Sequence, residues 1–147
     1  MKCRRQFAVL AAMMAATVLA APAGSMAMEK VNGVGGVFFR AKDPAALAKW
    51  YHDNLGVEAG DTPWKTEAGV TVFAPFKQDT KYFGRPEQQW MINFRVNNLD
   101  AMIAQLKAAG IEVETRAEWD DPVVGRFAHI KDPEGNPIEL WQPGSGH

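Results

Sequence analysis

The residues with most chemical potential sit late in the chain. Glu139 closes the run Asp132-Pro133-Glu134-Gly135-Asn136-Pro137-Ile138-Glu139 and lies between the apolar Ile138 and Leu140. A carboxylate in such company must be paired or give up its charge. Arg40, Arg95 and His129 are the candidate partners. With a raised pKa, Glu139 is a candidate general base that takes a proton from beside a carbonyl. Paired, it is a structural ion pair. Arg40 and Arg95 would bind an anionic group of a ligand, or stand in water at a rim. Glu139 and His129 are the weak candidates for a metal. Together they are two ligands, short of the three or more that a divalent ion takes from protein. His129, beside Phe127, reads equally as a hydrogen-bonding pocket residue.

These groups need elements to aim them. Alternation with period 2 predicts strands over 36–41 and 91–96, each followed by a helix. Asp43 is the expected N-cap of the first helix, with Pro44 at its first position and Gly56 as its stop. Leu47, Trp50, Tyr51 and Leu55 form its apolar stripe. Asn98 caps the second, Leu99, Met102, Ile103 and Leu106 form its stripe, and Gly110 ends it. Phe39-Arg40 and Phe94-Arg95 superpose at an offset of 55, which marks an internal repeat. Shorter strand candidates follow each helix: Val57–Gly60, Trp64–Glu67 and Val70–Phe76, then Ile111–Glu114, Val123–Lys131 and Pro137–Gln142. Each half therefore reads β-α-β-β-β, an α+β pattern. The halves span 31–76 and 90–143, with a linker or mobile loop over 77–89.

Strand parity separates two faces. Val37, Phe39, Val70, Val72, Ile92, Phe94, Ala128, Ile130, Ile138 and Leu140 are expected in the core. The other set points inward to a pocket: Gly36, Phe38, Arg40, Thr71, Phe73, Met91, Asn93, Arg95, Phe127, His129, Glu139 and Trp141. Aromatic walls with a few polar groups are the composition of a small-molecule pocket. The ligand-binding candidates are Phe38, Arg40, Thr71, Phe73, Asn93, Arg95, Phe127, His129 and Trp141, with Glu139 the catalytic candidate. Trp119 reads as a loop anchor or as part of the cavity mouth. His52 is expected at the surface, and His147 in a disordered tail. Gly33, Gly35 and Gly36 precede a strand and so make no phosphate loop.

Composition narrows the class. The chain has 147 residues, is 47% hydrophobic and 22% charged, and carries a net charge of -1. One globular domain fits, and a basic nucleic-acid binder does not. Lys2, Arg4 and Arg5 precede an apolar run from Phe7 to Ala21, and Ser25-Met26-Ala27 offers a cleavage site. Residues 1–27 are therefore expected to be a secretory signal peptide. Arg4-Arg5-Gln6-Phe7 is twin-arginine-like, with an ordinary export signal as the alternative. Cleavage after Ala27 leaves 28–147 as a single domain with 13 basic and 17 acidic residues. Cys3 departs with the signal, so no disulfide or thiolate chemistry is expected. The expected location is the periplasm, without membrane attachment after cleavage.

The tandem halves, Trp50-Tyr51 with Leu55-Gly56 following, and the sequence from Asp132 to Leu140 resemble the vicinal oxygen chelate superfamily: glyoxalases, bleomycin resistance proteins and extradiol dioxygenases. The resemblance covers about Val31 to Pro143. It implies two βαβββ modules forming a cupped, mostly antiparallel sheet around one cavity, and a homodimer as the default assembly. It also implies four metal-ligand positions. Gly36 and Met91 stand where a His is usual and Thr71 where a Glu is common; Glu139 alone matches. No cofactor is expected, since the ligand positions do not support a divalent metal. Three functions follow. The first is an exported protein that binds a small organic, anionic ligand without the usual metal. The second is a lyase or isomerase using Glu139 as base, with metal recruited through His129. The third is an interaction protein with a vestigial cavity. Methylglyoxal–glutathione chemistry is disfavoured by the missing ligands and the exported location.

Overall fold

Asp43 and Asn98 open the two helices as expected. The computed structural model describes residues 31–59 and 63–147; the expected signal peptide lies outside them. The chain divides at Val37, and the described part of the first unit, residues 31–37, carries neither helix nor ladder. In the second unit, α1 runs Pro44–Leu55. The Asp43 carboxylate accepts from the Ala46 amide at 3.0 Å. Gly56, at φ 64°, turns the chain out through the left-handed region that a side chain disfavours. Helix α2 runs Leu99–Ala108, with the Asn98 side chain accepting from the Ala101 amide at 2.9 Å.

Three strands follow the second-half pattern: β1 Ile92–Arg95, β2 Gly125–Lys131 and β3 Pro137–Pro143. The sheet order is β1-β3-β2, so β3 is central. It runs parallel to β1 and antiparallel to β2. Residues 111–114, expected as a strand, contribute an isolated bridge between Glu114 and His129. One sheet face is core. Ala128, Ile130, Ile138 and Leu140 pack there with Leu47 and Tyr51 of α1 and Leu99 and Leu106 of α2. Full burial of a leucine or isoleucine stabilises by roughly 1.5–3 kcal/mol, so these contacts hold the helices to the sheet.

The turn between β2 and β3 fastens α1. Asp132 is buried. Its carboxylate accepts from the Glu134 and Asn136 amides, the Asn136 side chain and the Tyr51 hydroxyl, at 2.8 to 3.1 Å. Glu134 accepts from the amides of Lys42 and Asp43, just before α1. A carboxylate there also meets the positive end of the helix.

The first half departs from expectation. Among the described residues, 36–41, 57–59, 64–67 and 70–76 form no ladder. Phe39, expected in the core, is 38% exposed and packs on Trp90, ring centres 5.0 Å apart. Val70 and Val72, expected in the core, are exposed, and Phe38 and Phe73 are 96% and 90% exposed. Alternation fixes which residues share a face. A face is covered only when a partner strand and an opposing layer are present, and none pairs with these segments among the described residues.

Candidate functional site

Ladder register builds the site. Asn93 on β1 is level with Glu139 on β3, and His129 on β2 is level with the same residue. Three adjacent strands thus put an amide, a carboxylate and an imidazole in one row, on the face away from Ile138 and Leu140. Glu139 is only 7% exposed. Its Oε2 accepts from Asn93 Nδ2 at 2.5 Å. Its Oε1 lies 3.0 Å from His129 Nε2 and also accepts from the Tyr82 hydroxyl. An ionised carboxylate only accepts, so the arrangement calls for a proton on His129 Nε2.

Burial of Glu139 pushes its pKa up, but hydrogen bonds from His129, Tyr82 and Asn93 outweigh this and hold it below the ordinary value of 4.5. The group is an anion at neutral pH, not a carboxyl poised to gain a proton. Burial and the neighbouring Glu139 anion push the Tyr82 phenol far up, so it remains a donor.

Aromatic rings wall the row. Trp119 lies over the His129 ring at 4.2 Å, and Tyr82 meets that ring edge-on at 5.3 Å. Phe76 stacks on Tyr82 at 5.4 Å, with the planes 17° apart. Arg116 stands 5.1 Å from the Trp119 ring centre. One register step on, Arg95, Trp141 and Phe127 are level with one another. Trp141 and Phe127 lie nearly parallel at 6.3 Å, and Trp141 Nε1 donates to the Val124 carbonyl at 3.0 Å.

The second-half candidates Asn93, Arg95, Phe127, His129, Glu139 and Trp141 therefore share one face. Arg95, considered for an anion, donates instead to the carbonyls of Glu67 and Ala68 at 2.9 and 3.3 Å. Its guanidinium lies so close to Gly69 that a Cβ there would fall 1.3 Å from a guanidinium nitrogen. The first-half candidates Phe38, Arg40, Thr71 and Phe73 are exposed. His52 is exposed, as expected. His147, expected in a disordered tail, instead packs edge-on against Trp141 at 5.1 Å, while Gly144, Ser145 and Gly146 hydrogen-bond to the carbonyls of residues 122–124. Two hollows, of about 260 Å³ beside α1 and about 320 Å³ at Asp120, Asp121, Pro122 and Arg126, share no residue with the Glu139 row.

The residue that sequence reasoning missed is Tyr82. It lies in the stretch taken for a linker, where no periodicity assigns a face. The signal available was its neighbourhood, since Phe76, Tyr82 and Phe83 make an aromatic cluster in an otherwise polar segment.

The donor set does not suit the superfamily's metal. Among the described residues, no three His, Cys, Asp or Glu side chains converge. Both oxygens of Glu139 already accept from protein donors. A divalent ion would have to displace them and still find a third ligand.

The glyoxalase-like domain family matches residues 36–141. Among solved structures, TnmS3, an antibiotic binding protein from Streptomyces sp. CB03234, is 25% identical, with a TM-score of 0.51. The match covers 80% of this chain and all of TnmS3. A glyoxalase/bleomycin resistance protein from the same organism is 33% identical over 39% of this chain and 48% of its own, with a TM-score of 0.29. No curated protein matches the sequence. On the family match across residues 36–141, the chain belongs to the glyoxalase-like proteins of the vicinal oxygen chelate superfamily.

Proposed function

We propose that this chain is an exported, periplasmic glyoxalase-like protein that binds a small organic ligand on the Glu139 face without a metal. The observation that carries the reading is the Glu139 row itself: a buried anion between Asn93 and His129, walled by Trp119, Tyr82 and Phe76. Aromatic walls around a few fixed polar groups suit small-molecule recognition. The likeness to an antibiotic binding protein supports a binding role. In the functional form, two βαβββ modules cup the ligand and the protein is a homodimer, with the exposed Phe38, Thr71 and Phe73 completing the wall. An anionic ligand would rely on the exposed Arg40, because Arg95 is engaged by backbone carbonyls and Glu139 repels a second anion.

The lyase or isomerase alternative needs Glu139 as a base. Hydrogen bonds that stabilise a carboxylate make it a weaker base. Binding is therefore the better-supported reading.

A thermal-shift and calorimetric screen with small aromatics and carboxylates tests it. The expected result is saturable binding that Glu139→Gln weakens at least tenfold. No binding from a broad set would overturn the reading in favour of an interaction protein. Turnover lost in Glu139→Gln would restore the enzyme.

A further inference from the structure

Tyr82 is attached to the sheet in an unusual way. Residues 77–91 carry neither helix nor ladder. The backbone bonds of the segment are local turns: Thr80 to Lys77, Gly84 to Lys81 and Gln88 to Arg85. Its side-chain bonds are local as well, joining Tyr82 to Thr80, Arg85 to Gln88, Gln88 to Trp90 and Gln89 to Glu87. Among the described residues, the Tyr82 hydroxyl on Glu139 is the one hydrogen bond from this segment to the sheet. Tyr82 is nonetheless 38% exposed, so its ring lies at the surface of the site and not in the core.

The ring sits where a ligand of the proposed function would sit. Its flat face lies on Phe76, its plane stands at right angles to the His129 ring, and its hydroxyl donates to the only oxygen of Glu139 that takes two donors. A tethered phenol thus meets a stacking ring, the imidazole and the carboxylate of the site at once. A free molecule matching it needs a planar aromatic ring and one neutral hydroxyl donor. An anionic head would face the Glu139 carboxylate at close range. A ring without a hydroxyl would leave an acceptor of a buried anion short of a donor.

We propose that Tyr82 holds the place of the ligand, that the Glu139 face selects planar aromatic compounds bearing a phenolic hydroxyl, and that binding displaces Tyr82 with its segment. The inference rests on the small-molecule reading above and adds its ligand class. Competition follows from the tether: a side chain on a short segment is present at an effective concentration of the order of millimolar, so it lowers the apparent affinity of any ligand that must displace it.

The probes are 4-methylphenol, toluene and 4-methylbenzoate, titrated calorimetrically into the wild-type chain, Tyr82→Ala and Tyr82→Ala/Glu139→Gln. Chemical shifts of the Asn93 amide and the His129 ring locate the site. Tyr82→Ala is expected to bind 4-methylphenol about tenfold more tightly than the wild type does, with the tethered competitor gone. It should prefer 4-methylphenol to toluene by at least tenfold and reject 4-methylbenzoate, and the added Glu139→Gln should abolish the preference. Trypsin should cut after Lys77 and Lys81 faster in the wild-type chain when 4-methylphenol is present. Equal binding of toluene and 4-methylphenol overturns the inference, as does tighter binding by the wild type than by Tyr82→Ala. Should other small organics move the Asn93 and His129 signals without any hydroxyl preference, the ligand class falls and the binding function stands. Silence of those signals to the whole screen sinks both. Tyr82→Phe, which keeps the ring and removes the donor, is the second variant; its affinity for 4-methylphenol is expected to exceed that of the wild type.

Discussion

Two tyrosine–carboxylate pairs stand at opposite ends of the eight-residue run from Asp132 to Glu139. Tyr51 donates to Asp132 at 3.1 Å, and Tyr82 donates to Glu139. Both carboxylates are buried, and burial pushes both phenols well up. The settings differ. Tyr51 is buried on the stripe of α1, and Asp132 also holds its own turn through two amides and the Asn136 side chain. Tyr82 comes from a segment without a ladder and is partly in water. The same chemical pair is a clasp where both partners are fixed, and a removable contact where only the carboxylate is.

Substitutions that delete one partner at a time break or sharpen that contrast. Asp132→Ala strands two amides, a carboxamide and a buried hydroxyl, and should cost about 3 kcal/mol or more in urea unfolding. A loss below about 1 kcal/mol would show that the turn does not clasp α1. Glu139→Gln comes next. It replaces an anion accepting three hydrogen bonds by an amide that matches them poorly, with an expected loss of about 2 kcal/mol at neutral pH. Its pH dependence carries a sign. The folded pKa of Glu139 is below its ordinary value of 4.5, so its stabilisation is complete above that pH and fades as pH falls through the lower folded value. Asp53, Asp100, Asp121 and Glu134 are also held low, so some acid sensitivity should persist in the variant. The gap between wild type and Glu139→Gln should therefore narrow on acidification below pH 4.5. A constant gap would mean that the charge of Glu139 is not what its neighbours stabilise.

The helices of both halves were legible in the sequence, but only the second half's strands were. Asp43, Gly56, Asn98 and Gly110 bounded the helices because caps and stops act locally. Parity put Asn93, His129 and Glu139 on one face, and the ladder partners then made them level. Parity alone could not show that Arg95 would turn to the carbonyls of 67 and 68, since a long flexible side chain reaches groups well beyond its own strand. It could not show that Val70 and Val72 stay exposed, because coverage depends on a partner that periodicity does not name. The turn over 132–136 was readable as a turn. Its hold on α1 was not, for it joins residues 81 apart through Tyr51 and Asp132. Tyr82 was hidden for a third reason: a segment without regular structure has no face to assign.

The same substitution at the two tyrosines is the most discriminating comparison. Tyr51→Phe removes a buried donor from Asp132 while keeping the ring, and should cost about 1 kcal/mol. Tyr82→Phe removes the equivalent donor from Glu139. Here His129 still donates to Oε1 and Asn93 still donates to Oε2, and the phenylalanine ring, on a segment held by no ladder, is free to lift so that water takes the vacated position. The expected cost is below about 0.5 kcal/mol, the range of ordinary surface changes. Parallel urea titrations read both. If Tyr82→Phe costs as much as Tyr51→Phe, Tyr82 is a second clasp: its segment is fastened to the sheet, and no ligand would reach Glu139 without first breaking part of the fold.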